Sequence, residues 1–141
     1  MNDLEKAKAV LETEQLTCVL CKGDILIKRS EKGISPMLDL ISEGTDLKGF
    51  SAADKIIGKA AAMLFSYSGV TEVYGQVMSR SAAEFLDKKG IAYSYGTMTG
   101  TIINRKGDGI CPMEQTVTDI NDTEKAYRAL LAKREQLRKK I

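Results

Sequence analysis

Lys59 is an ammonium set in an otherwise apolar stretch, Ile56-Ile57-Gly58-Lys59-Ala60-Ala61-Ala62-Met63-Leu64-Phe65. Among such neighbours it must snorkel to water, pair with an acid or face a polar cavity. Gly58 adds weight, since a glycine inside a helix costs ~1 kcal/mol relative to alanine and usually marks a close approach of backbone or ligand. The plainer reading is a solvated strip that Lys59 shares with Lys55, one helical turn away. A phosphate-binding loop is excluded: position 53 is Ala53, and Ala60 stands where a magnesium-holding Ser or Thr is required.

Cys111-Pro112-Met113-Glu114 is the second candidate. Proline suits the first helical position, so Cys111 should stand at a helix N-terminus, where the dipole favours a thiolate. Glu114 opposes that charge. The chain has no histidine, so a conventional Cys-His nucleophile is excluded. Both residues also read plainly as a packed cap and a first-turn helix acid, and they are better placed to line a pocket than to catalyse. Ser79, Arg80 and Asn104 stand at expected strand ends, where hydroxyl, guanidinium and amide groups can orient a polar ligand. Cys18 and Cys21 form a C-x-x-C, but in a strand such positions point to opposite faces. Three cysteines without histidine cannot complete a structural zinc site, and all three are expected as free thiols.

The elements that must position these residues follow from periodicity and punctuation. A first helix spans Asn2 to Gln15, and Lys22-Gly23-Asp24 joins strands Thr17–Cys21 and Ile25–Arg29 into a hairpin. Ser35-Pro36 opens a short helix closed by Gly44. Ser51-Ala52-Ala53-Asp54 fits a capping pattern, which predicts a buried helix from Ser51 to about Tyr67. Val70 to Met78 and Ile91 to Met98 read as strands, with a helix between them capped by Ser81 and ended by Gly90. Helices then start at Pro112 and at Asn121-Asp122. A hairpin followed by alternating helices and strands implies a mixed sheet covered on both faces, in one domain over residues 1–141.

Composition narrows the function. Net charge is +2, too little to argue for nucleic acid or a membrane surface. The longest apolar run, Ala60 to Phe65, is far short of the ~20 residues that cross a bilayer. Met1 to Gln15 mixes acids and bases and is unlike a secretory signal, so a cytoplasmic location is expected. The tail from Lys133 to Lys140 holds five basic residues and one acid, which reads as a solvated helix face.

The segments Asp54 to Ala62, Val77-Met78-Ser79, Asn104-Arg105 and Cys111 to Glu114 resemble an uncharacterised bacterial domain-of-unknown-function family of the cytidine deaminase-like superfamily. The resemblance runs from about Leu4 to Leu131. It implies an α/β fold, a three-layer α/β/α sandwich with a mixed sheet, cytidine deaminase-like. Zinc deaminases place His or Cys at one helix start, a glutamate two residues on, and P-C-x-x-C at the next helix start. Here those places read Lys59-Ala60-Ala61 and Met78-Ser79-Arg80-Ser81-Ala82, so no zinc, no other cofactor and no deamination are expected. What remains is a pocket for a small polar, nucleotide-like ligand in a sensing or regulatory role. Asp54, Gly58, Lys59, Ser79, Asn104, Cys111 and Glu114 would surround it. The alternatives are a transferase or hydrolase using Cys111 or Lys59 covalently, and a protein-interaction module. A homo-oligomer is compatible with either.

Overall fold

The computed structural model describes residues 1–103, 106–107 and 109–139. The N-terminal helix α1 (Asp3–Thr13) begins where Asn2 accepts a hydrogen bond from the Glu5 N–H at 2.8 Å. Strands β1 (Cys18–Lys22) and β2 (Ile25–Arg29) pair antiparallel as the expected hairpin, and α2 (Ser35–Ser42) follows with Pro36 in its first turn. Then come β3 (Ser51–Ile57), α3 (Lys59–Ser68), β4 (Glu72–Ser79), α4 (Arg80–Lys89) and β5 (Ala92–Thr99). Two further helices, α5 (Pro112–Val117) and α6 (Thr123–Lys139), complete the described chain. Asp122 starts α6 as expected, its carboxylate accepting the Lys125 N–H at 3.0 Å.

Among the described residues the sheet has five strands in the order β2-β1-β3-β4-β5. Strand β1 runs antiparallel to both neighbours, while β3, β4 and β5 run parallel. The sheet is therefore mixed, as the element order required. Helix α1 covers one face, where Leu4, Ala7 and Leu11 pack with Val19, Cys21, Ala53 and Tyr74. The opposite face carries the larger core, in which Cys18, Ala52, Ile57 and Met78 meet Leu38, Met63, Leu64, Phe65, Leu86 and Leu130. Cys18 and Cys21 thus point to opposite faces, and the three cysteines are free thiols. Among the described residues no helix is long and apolar enough to cross a membrane.

One element was misread from sequence. Residues 51–57, expected as the first half of a buried helix, form β3, the central strand. A parallel strand buried on both faces has no alternation, so its continuous small apolar run imitates a buried helix. The Ser51 to Asp54 pattern therefore caps nothing, and Gly58 is the N-cap of α3 rather than a residue within it. The second half was right: Ala60 to Phe65 are all buried in α3. Likewise α4 is capped by Ser79, whose Oγ accepts the Ala82 N–H at 3.1 Å, and not by Ser81.

Strands β4 and β5 approach closely at Gly96. A Cβ on Gly96 would lie 2.9 Å from the Gln76 carbonyl oxygen and 3.3 Å from the Tyr74 hydroxyl. Backbone cannot yield as a side chain can, so Gly96→Ala is expected to destabilise the protein by about 1–3 kcal/mol through forced strand separation. Urea denaturation measures this, and an unchanged midpoint would show that β5 shifts freely on β4.

Candidate functional site

The carboxyl end of β3 and the start of α3 form the wall of a cavity of about 1060 Å³. Asp54, Lys55, Ile56, Gly58, Cys111 and Glu114 all line it. Much of its wall surface is apolar, supplied by Ile34, Ala61, Ile102, Pro112, Met113 and Leu137, and several charged side chains border it as well. Ligand sites in open α/β sheets fall in this position, beyond the carboxyl ends of parallel strands.

Asp54 faces Cys18 across the β1–β3 ladder and is 8% exposed. Its Oδ1 accepts the Ile56 N–H at 3.1 Å. Burial pushes its carboxyl up from the ordinary 3.8 to about 7, with hydrogen bonds from Ile56, Cys18 and Lys55 pulling the other way. Desolvation wins, and among the described residues no cation pairs with the carboxylate directly. Burial, aided by Asp54, raises the Cys18 thiol well above the ordinary 9.0.

Glu114 explains Gly58. Its two carboxylate oxygens accept the Lys59 and Ala60 backbone N–H groups, both at 2.8 Å. The carboxylate thus caps α3 from α5, supplying what Gly58 has no side chain to give. A Cβ on Gly58 would stand 2.5 Å from Glu114 Cδ and Oε1. Burial raises the Glu114 carboxyl, opposed by the two N–H bonds and by the Lys59 charge. The close approach inferred from glycine is therefore real, but the approaching group is the protein's own.

Lys59 neither lies mid-helix nor reaches the large cavity. It opens α3, its Nζ donates to the Thr118 carbonyl at 3.2 Å, and it lines a smaller cavity of about 370 Å³ with Ser81, Glu84, Lys88 and Asn121. Glu114 borders both spaces. Lys59 and Cys111 thus line different cavities, and Lys59 Nζ is engaged with the Thr118 carbonyl. Ser79 is 1% exposed, is engaged as the α4 cap and lines neither cavity. Arg80 lines neither cavity either. Asn104 lies outside the described residues.

Sequence reasoning missed Arg134. Treated as part of a solvated face, it is 12% exposed, donates from Nη1 to Asp39 Oδ1 at 2.8 Å and lines the large cavity. Only its helical spacing from Ala126, Tyr127, Leu130 and Leu131, which pack in or against the core, hinted at this.

Zinc does not fit. The first helix start offers Lys59, bonded to a carbonyl, and the second offers Ser79, bonded to backbone. Among the described residues no group of three His, Cys, Asp or Glu side chains could hold a metal ion.

These features define an α/β protein with, among the described residues, a five-stranded mixed sheet, six helices and a cavity at the carboxyl end of its central strand. The family model described as "Domain of unknown function (DUF1893)" matches residues 6–133, and the chain belongs to that family. A crystal structure of a DUF1893 family protein from Thermotoga maritima superposes with a TM-score of 0.86 at 26% identity, covering 94% of this chain and 90% of that one. None of the curated proteins matches.

Proposed function

We propose that this chain binds a small polar, nucleotide-like ligand in the large cavity, in a sensing or regulatory role. The single observation that carries the reading is the cavity itself. It is the right size for such a ligand, mostly apolar, and floored by a buried carboxyl, Asp54, that can both donate and accept near neutral pH. The mixed sheet, with α1 on one face and the remaining helices on the other, supports the three-layer, cytidine deaminase-like reading. A binding role is favoured over turnover because the candidate catalytic groups are committed elsewhere. Both Glu114 oxygens hold α3, and Lys59 holds the Thr118 carbonyl.

A thermal-shift screen against nucleosides, nucleotides and ADP-ribose tests the proposal. A ligand at a hundred times its Kd stabilises by about 2.7 kcal/mol, or roughly 5–10 °C in Tm for a chain of this size. Ile56 lines the cavity yet is 51% exposed, so Ile56→Trp should obstruct the mouth without disturbing the core. The expected result is a shift in the wild type that Ile56→Trp abolishes, with the ligand-free Tm unchanged. A shift that survives the substitution moves the site elsewhere, and no shift from any compound sinks the proposal.

A further inference from the structure

Arg134 holds a donor that the protein does not satisfy. Its Nη1 is bonded to Asp39, while its Nε is buried with no hydrogen-bond partner among the described residues. Buried donors are ordinarily paired, and an orphan on a cation is costly. With Nη1 taken, the edge left to the guanidinium is the Nε and Nη2 fork, whose geometry matches two oxygens of a carboxylate or phosphate.

The surroundings carry the same sign. Lys32, Lys55, Lys106, Arg134 and Arg138 line the cavity, against Asp54 and Glu114. Arg134 is paired with Asp39 and Arg138 with Glu135, so among the described residues Lys32, Lys55 and Lys106 are the lining cations outside an ion pair, and neither lining acid balances them fully. Both Glu114 oxygens are held by the start of α3, and the Asp54 carboxyl is part-protonated near neutral pH. Gly33, Ile34 and Ser35 also belong to the wall, and α2 starts there with no side chain capping it. The helix that fixes Arg134 through Asp39 therefore turns its positive end to the same space.

We infer that the ligand of this cavity carries an oxyanion, phosphate or carboxylate, and that Arg134 is the residue that anchors it. The inference rests on the cavity being the binding site, as proposed above. Nε is shut off from solvent, so engagement involves a rotation of the outer Arg134 torsions toward the cavity, with Asp39 retaining Nη1.

The test titrates the full chain with phenyl phosphate, benzoate and neutral benzyl alcohol by calorimetry in a buffer free of oxyanions. In the wild type one of the two anions should bind about tenfold or more tighter than benzyl alcohol. The tighter of the two names the anion. Arg134→Met should erase that preference, and its ligand-free Tm should hold or rise by about 3 °C as the orphan donor is removed. A merely structural Arg134 would instead lower Tm on substitution and leave the preference in place, which overturns the inference. Should Arg134→Met fail to fold, Arg134→Lys carries the test: it keeps the charge, loses the fork, and should cut the preference severalfold. If all three probes bind alike, the anion inference falls and the cavity reading stands. If none binds, both fall.

Discussion

Replacing Gly58 with alanine is expected to destabilise the protein by about 2–4 kcal/mol, although the backbone there suits alanine well. At φ −96° and ψ −176° the residue is extended, so no strain arises from its conformation. The cost comes from across the site, because the new Cβ would overlap the Glu114 carboxylate at 2.5 Å. That carboxylate must withdraw from the Lys59 and Ala60 N–H groups, and two charge-assisted bonds at a helix N-terminus are weakened together. Glu114→Ala removes the same bonds directly and should cost a similar amount. A double-mutant cycle separates causes: with Glu114 already absent, Gly58→Ala should cost only a few tenths of a kcal/mol. Urea denaturation of the four proteins gives the answer. Equal costs in both backgrounds would mean that Gly58 is required for some reason other than Glu114.

This coupling explains how far the sequence could be read. A glycine inside an expected helix announced a close approach, and the proline after Cys111 announced a helix start. Both inferences hold, yet their union was invisible, since 55 residues separate Lys59 from Glu114. Lys59 stood out for its charge, but what α3 contributes to Glu114 is its backbone, which every residue has. The strand–helix confusion over residues 51–57 has a different root. Ser51-Ala52-Ala53-Asp54 carries a cap-like pattern, and small residues chosen for close packing in a central strand have weak preference of their own. Arg134 was hidden by its neighbours, for Lys133, Glu135, Arg138 and Lys139 form the charged face that solvent expects. Of the residues that local pattern singled out, Asp54, Gly58, Cys111 and Glu114 line the large cavity, while Lys59 and Ser79 do not. Which groups met there depended on tertiary contacts that spacing does not encode.

Asp54 supplies the largest pH effect. Its carboxyl is lifted from 3.8 to about 7 in the folded protein, while the unfolded chain restores the ordinary value. Below pH 4 both states hold the proton and the residue is silent. Between about 4 and 7 the folded state binds more protons than the unfolded one, so stability falls as pH rises. Above 7 the charge is forced into a buried site, at an order-of-magnitude cost of about 4 kcal/mol for roughly three pH units. Asp54→Asn keeps an acceptor for the Ile56 N–H and removes the titration. At pH 8 it should be more stable than the wild type by about 2–4 kcal/mol, and at pH 4 the two should agree closely. Urea denaturation at intervals from pH 4 to 8 measures the difference, and parallel curves would show that Asp54 is not the titrating group. A neutral asparagine would fit the strand at less cost, so on the proposed binding reading the carboxyl on the cavity wall gains its rationale from what it does for a ligand. Its ability to gain or lose a proton near pH 7 is the one property that asparagine lacks. If Asp54→Asn stabilises the fold yet weakens ligand binding, the burial cost is tied to function, and binding itself should change with pH across that window.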